Sequence, residues 1–224
     1  MGIFRQGLAW LADGGHWVGT GGILQRLGEH AEMFALAMLI ALVLALPVGL
    51  VIGHVRKGAF LAVNAAGVGR ALPTFAVLYF AYRLMLRSRP FAFWPTLIAL
   101  VFLAVPPLLT NTFVAVSGVD PDTVEAARGI GMGERQVLFR LELPLASPLM
   151  LDTVRTVAVQ VAATAGFGAV FGWGGLGRFI VDGFASYDYP QLVAGAVLIA
   201  AFALVVDVAF GLAARLPALR RVRV

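Results

Sequence analysis

The stretch EAARGIGMGERQVLFRLELP, residues 125–144, is the most polar long segment of an otherwise greasy chain. It holds three arginines and three glutamates, and clear apolar runs lie on both sides. Those flanks decide the solvent in which the protein folds. Of the 224 residues, 60% are hydrophobic and only 13% charged, with a mean hydropathy of +0.90. A soluble domain of this size needs far more charge to cover its surface. The bilayer is therefore the expected solvent, and the expected fold class is an all-α membrane protein.

A spanning helix needs about 20 mostly apolar residues, because the hydrocarbon is about 30 Å thick and each residue rises about 1.5 Å. Five segments meet that length. Met33–Gly53 is free of charge and ends at the basic cluster His54, Arg56 and Lys57. Gly58–Tyr82 is interrupted by Arg70 and Pro73. Phe93–Val116 contains Pro106 and Pro107, and Thr156–Gly177 is extended backward by Leu145–Leu151. Tyr189–Ala214 carries Asp207 near its end.

An odd number of spans puts the termini on opposite sides. The net charge is +5, and most of the arginines outside the spans then share one side. Arg56 with Lys57, then Arg128, Arg135 and Arg140, then Arg215, Arg220, Arg221 and Arg223 all fall there. The positive-inside rule makes that side cytoplasmic, with the N-terminus outside and the C-terminus inside. Arg83, Arg87 and Arg89 run against this orientation. In so apolar a chain the basic excess fits a membrane surface and lipid, and no nucleic-acid partner is expected. Residues 1–30 read as an outer N-terminal segment in which Phe4, Leu8 and Leu11 share a helical face. They show no cleavable signal pattern, so the first span is expected to act as an uncleaved anchor. Residues 31–215 form one membrane domain, and residues 216–224 a basic cytoplasmic tail.

In this arrangement residues 117–146 are a cytoplasmic loop. Asp120 is a good N-cap, and Pro121 suits the first helical position because its missing N–H is unpaired there anyway. A helix over Pro121 to Gly129 follows. Gly131 and Gly133 supply the positive φ that ends it. A second short helix, Glu134–Arg140, starts with an acid and ends with a base, as the macrodipole prefers. Pro144 is expected to stop it. Val124, Ala127, Val137, Leu138 and Leu141 are free to pack into a partner's groove. Three readings fit such a loop: a solvated charge run, a DNA-binding helix-turn-helix, or a docking element. Caps and apolar positions at helical spacing argue against the first. A place between two spans argues against the second.

The third reading carries a resemblance. Glu125, Ala126 and Ala127, then Gly131, then Leu141, Glu142, Leu143 and Pro144 resemble the "EAA" motif of importer-type ABC permeases, with Leu141 where that pattern has isoleucine. The resemblance implies a type I importer permease fold of about five spans. It also implies that the loop is a coupling helix pair seated in a cleft of an ATP-hydrolysing subunit. "VDPDTVEAARGIGMGERQVLFRLELPLASPLM", "PPLLTNT" and "GGLGRFIVDGF" extend it from about residue 22 to about residue 215. They look like the permeases of osmoprotectant importers, which move glycine betaine, choline, carnitine or proline. Related permeases carry methionine or polar amino acids. The implied partners are an ABC ATPase dimer, a second permease copy or homologue, and an extracytoplasmic substrate-binding protein. ATP and magnesium would sit on the ATPase, and the implied location is the bacterial plasma membrane. Where betaine-type members have glycines throughout, this chain has Phe171, Gly172, Trp173, Gly174 and Gly175.

Other residues admit a bland and a functional reading. "GWGGLG", residues 172–177, fits a dinucleotide fingerprint only by spelling, since it follows an apolar helical run and no acid lies about 20 residues on. It is either a tight turn after the fourth span or an outer gate built from Gly172, Trp173, Gly174 and Gly175. Arg70 sits deep in its span, where a charge is costly unless it faces protein or water, or else its span starts later. Asp152 and Arg155 are spaced to pair on one helix face. Pro73 is a further candidate for the translocation path. The prolines at 106 and 107 free backbone carbonyls, so that Asn111, together with Gln160 and Thr164, either lines a wet path or bonds between helices. No cofactor, metal or catalytic residue is expected in this chain: it has no cysteine, no G-x-S-x-G serine and no H-E-x-x-H histidines. The expected function is therefore the permease subunit of an ATP-driven importer. The competing class is a membrane scaffold that docks a soluble partner without transport.

Overall fold

The computed structural model of the chain describes residues 2–57, 60, 64, 67, 74–85 and 92–213. Among them the regular structure is helical, with no strand. Helix α1, Ile3–Ala12, is followed by a single 3-10 turn, Gly14–His16, capped by the Asp13 carboxylate. Then come α2 (Ile23–His54), α3 (Thr74–Leu84) and α4 (Phe93–Ser117). Helix α5 is Pro121–Gly129 and the four-residue α6 is Glu134–Val137. A π-helical turn, Leu138–Glu142, leads into α7, Leu143–Thr164, which tightens to 3-10 geometry over Ala165–Phe171. Helices α8, Gly177–Ala185, and α9, Tyr189–Ala213, complete the described chain.

Four of these stretches are long and apolar enough to cross a membrane: Ile23–His54, Phe93–Ser117, the continuous Glu134–Phe171, and Tyr189–Ala213. Much of the expected span Gly58–Tyr82 lies outside the described residues. Its end coincides with α3, an apolar helix of 11 residues. Helix α2 begins ten residues before the expected Met33. At about 1.5 Å per residue it is about 48 Å long, well beyond the hydrocarbon thickness. The surplus explains how Arg26, Glu29 and His54 belong to a helix that also spans.

Two boundaries expected from the sequence are corrected. The fourth span is not Thr156–Gly177: its α-helix starts at Leu143 and its helical path ends at Phe171. Gly172 then turns the chain with φ +92, a value that disfavours side chains. Pro144 does not end the second loop helix either. Proline removes the donor that the carbonyl four residues back would accept, and its ring crowds that carbonyl. The π turn just before it widens the ladder, with the Leu143 amide donating to the Leu138 carbonyl, so the helix passes through.

The chain falls into two compact units. One is drawn from Met1–Leu39, Leu72–Val101 and Val159–Val206, the other from Ile40–Ala71, Phe102–Ala158 and Asp207–Val224. The core of the first gathers Ile23, Leu176 and Phe179, with Trp10, Leu11, Leu27 and Phe202 packed around them. Trp10 and Leu11 bring the end of α1 into that core, while Phe4 and Leu8 stay exposed. In the second, Ala115, Val116, Ala146 and Met150 are buried against Leu46, Leu50, Leu138 and Leu143.

The second unit also depends on a close approach of α2 to α4. Gly49 and Gly53 are four apart on one face of α2, in the stretch GLVIG. A Cβ on Gly49 would lie 2.7 Å from Thr112 Cβ, and one on Gly53 would lie 2.8 Å from Val116 Cβ. Small residues at this spacing let membrane helices touch backbone to side chain, where dispersion replaces the missing hydrophobic drive. Gly49→Ile is expected to cost about 1–3 kcal/mol by overpacking. Thermal unfolding in detergent checks this, and an unchanged midpoint would refute the close contact.

Candidate functional site

The charged loop folds upon itself. Asp120 caps α5 by accepting from the Asp122 amide at 3.2 Å and from the Thr123 hydroxyl at 3.0 Å. Pro121 occupies the first position, as its fixed φ prefers. Gly131 has φ +92 and reverses the chain. Gly133 does not share that conformation. Its φ is −72, and it serves as the N-cap of α6, its amide donating to Gln136 Oε1 at 3.0 Å.

The loop's apolar side chains are used internally. Val124, Ala127 and Val137 are buried with Val119, and Met132 and Leu141 pack onto them. Of the positions expected to enter a partner's groove, Val124, Ala127, Val137 and Leu141 therefore hold α5 and α6 to each other, and Leu138 packs into the neighbouring cluster of the same unit. What the loop presents outward is Glu125, Ala126 and Gly131, together with Ile130 (83% exposed) and Phe139 (57% exposed). Ile130 and Phe139 went unnoticed in the sequence. An isoleucine between two glycines and an aromatic between leucine and arginine look like core residues until the turn places them outside. Leu143 and Pro144 are half-buried at the start of α7.

The loop is tied to the end of α2 by polar contacts. His54 Nδ1 lies 2.5 Å from Glu142 Oε2, and its Nε2 lies 3.1 Å from Glu134 Oε2. Glu134 also takes both guanidinium hydrogen bonds of Arg128, at 2.9 and 3.0 Å. Those bonds push the Arg128 guanidinium further above its ordinary pKa. Arg56, in a left-handed conformation with φ 55, donates to the Val119 carbonyl at 2.6 Å. His54 and Glu142 are 88 residues apart, so their meeting left no mark on spacing.

The remaining candidates separate by unit. Arg70 and Pro73 lie outside the described residues. Asn111 is exposed on α4 in the second unit, one residue before the buried Thr112. Gln160 is exposed and Thr164 half-buried, one turn apart on α7 in the first unit. Arg155 does not rely on Asp152: it makes a two-bonded pair with Asp207 of α9, both bonds 2.7 Å. A Cβ on Gly211 would lie 3.4 Å from its guanidinium carbon, so glycine there leaves room for the charge.

The Gly172–Gly175 segment is a tight turn held by α2. Gly172 and Gly175 both have positive φ. Glu29 Oε2 accepts from the Gly175 amide at 2.7 Å and from Arg26 at 2.8 Å, while Gln25 donates to its other oxygen at 2.9 Å. A Cβ on Gly174 would meet the Glu29 carboxylate, so glycine is what lets the clamp close. Trp173 stands edge-on to Phe93, with ring centroids 4.9 Å apart.

Four helices long and apolar enough to cross a membrane, two of them joined through a capped, charged two-helix loop, define an all-helical chain of the membrane-spanning class. The chain belongs to the family of binding-protein-dependent transport system inner membrane components, whose pattern it matches over residues 37–218. It is 30% identical over 195 residues to the choline transport system permease protein OpuBB of Bacillus subtilis, covering 87% of this chain and 88% of that one. The glycine betaine/carnitine/choline transport system permease protein OpuCB of the same species is 29% identical, covering 84% of each chain. Among solved structures, an inward-facing MetNI methionine ABC transporter shares the fold, with a TM-score of 0.74 over 90% of this chain and 96% of that chain at 18% identity. The protein is thus an inner-membrane permease subunit of an ABC importer, and a transport component rather than a catalyst.

Proposed function

We propose that this permease imports osmoprotectants of the glycine betaine, choline and proline type, and that residues 117–146 couple it to a separate ATPase. The observation that carries the substrate class is the match to choline and glycine betaine permeases along more than four-fifths of the chain. The coupling is supported by the spacing of Glu125, Ala126, Ala127, Gly131, Leu141, Leu143 and Pro144, with the first three on the capped helix α5, Gly131 in the turn after it, Leu141 in the π turn, and Leu143 and Pro144 at the start of α7. Closure of an ATPase dimer on ATP and magnesium would move the loop as a rigid body and swing the spans between two orientations. Residues 31–215 are the working membrane domain, residues 1–30 lie outside, and the basic tail, residues 216–224, lies in the cytoplasm with the loop. A second permease copy or homologue completes the pathway, with Arg70, Pro73, Asn111, Gln160 and Thr164 as its candidate lining and the Gly172–Gly175 turn as its outer gate.

A quaternary ammonium offers no hydrogen-bond donor, so its selective recognition needs an aromatic cage. That role suits an extracytoplasmic binding protein better than a pathway the ligand has to leave. The test is ATP hydrolysis by the permease reconstituted in liposomes with its ATPase and binding protein. Glycine betaine or choline should stimulate it and be taken up. Stimulation by methionine or a polar amino acid instead would overturn the substrate class. Tight docking of the ATPase with no uptake of any of these would favour the scaffold reading.

A further inference from the structure

We propose that α1 is an interfacial anchor, with its Phe4–Leu8 flank buried among phospholipids at the headgroup level, on the side of the bilayer where α2 and α9 begin. The inference goes beyond the transport reading and depends on neither the substrate nor the coupling loop.

The helix presents three flanks, since each residue rotates by about 100° around the axis. Gly7 is buried, and Trp10 and Leu11 pack into the Ile23–Leu176–Phe179 core, so this flank belongs to the protein. Phe4 (59% exposed) and Leu8 (45% exposed) are one turn apart on the next flank, with nothing apolar over them. Arg5, Gln6 and Ala9, all exposed, take the remaining side. A short helix with protein on one flank, bare apolar side chains on the second and polar ones on the third suits a boundary between hydrocarbon and water. Its ten residues rise about 15 Å, too little to cross about 30 Å of hydrocarbon.

Its level along the spans is set by its contacts. Gly7 seats α1 on the start of α9, where a Cβ would lie 2.6 Å from Val193 Cγ1 and 3.3 Å from the Pro190 carbonyl oxygen. The indole N–H of Trp17 donates to the Leu11 carbonyl at 2.8 Å, which ties the end of α1 to the segment leading into α2. Trp17 is exposed, and so are Trp94 at the start of α4 and Tyr187 and Tyr189 at the start of α9. Tryptophan and tyrosine collect at the headgroup level, because each carries an apolar ring and a polar N–H or O–H. All of these residues belong to the same compact unit as α1. The helix is therefore bonded to an aromatic belt. A protein partner fits the flank less well. A stable interface takes about 800 Å² from each side, and α1 offers Ile3, Phe4 and Leu8 as its exposed large apolar side chains. The bilayer needs no such area, because the spans already hold the chain in it.

The test uses the absence of cysteine from the chain. F4C, L8C, R5C and Q6C each take one nitroxide label, and the permease is reconstituted in liposomes with the subunits that purify with it. All four positions are exposed, so the labels leave the core in place. Collisions of each label are measured with oxygen, which concentrates in hydrocarbon, and with a nickel chelate, which stays in water and is present on both sides of the bilayer. The oxygen-to-nickel ratio at positions 4 and 8 should exceed that at positions 5 and 6 by about threefold or more, as a flank about 5–10 Å into the boundary requires. Equal ratios at all four positions would overturn the anchor. Few collisions with either reagent at positions 4 and 8 would also overturn it, because a second permease copy or a binding protein would then cover the flank in place of lipid.

Discussion

Glu125→Lys and Gly131→Arg are each expected to lower ATP-driven uptake by about tenfold or more while leaving the permease folded in the membrane. Glu125 is exposed on α5, so reversing its charge disturbs no core. Its effect falls on whatever docks there, and a like charge placed across a protein interface costs several kcal/mol, enough for that loss. Gly131 acts through the backbone as well. Its φ of +92 is unfavourable for any side chain, by about 1–2 kcal/mol, although open space surrounds it. Arginine there would tilt α6 relative to α5 and stand beside the exposed Ile130. Uptake and ATPase retention measured together separate the two effects. Glu125→Lys should release the ATPase, whereas Gly131→Arg should reduce uptake even where some ATPase remains bound. Normal uptake in both variants would end this account of the loop.

The largest expected loss of stability is at Gly177. This glycine opens α8, where a Cβ would run into the backbone carbonyl of Gly166 in the 3-10 stretch that follows α7. A side-chain neighbour can rotate away, but a carbonyl fixed between helical residues cannot. Gly177→Val is therefore expected to destabilise by about 3 kcal/mol, the upper end of the usual overpacking cost. The fully buried Leu176 next to it and Phe179 one turn on would shift too. Gly174→Ala should cost less, because the atoms it meets belong to the movable ends of Glu29 and Arg26. Gly14→Ala, with nothing within 4 Å, should be neutral. Unfolding midpoints in detergent rank the three, and a Gly177→Val protein as stable as the parent would refute the contact.

The sequence by itself determined that this protein lives in a bilayer, that its regular structure is helical, and that a capped two-helix loop interrupts its apolar runs. Those features are local: composition sets the solvent, Asp120 caps the helix that follows it through its own carboxylate, and Pro121 and Gly131 act through their own backbone. The Glu-Ala-Ala spacing was legible for the same reason, since it lies within twenty consecutive residues. Tertiary structure decided the rest. Pro144 looked like a stop, but a π turn supported by Leu138 and Leu143 in a buried cluster carries the helix through it. Arg155 had an acid three residues away, yet it pairs with Asp207 on another helix, 52 residues on. Val124 and Val137 turn toward each other and leave Ile130 and Phe139 to face outward. His54 meets Glu142 and Glu134 at the end of α2, whose Gly49 and Gly53 lie close against α4. Pairing across such distances depends on how helices pack, and no local spacing encodes it.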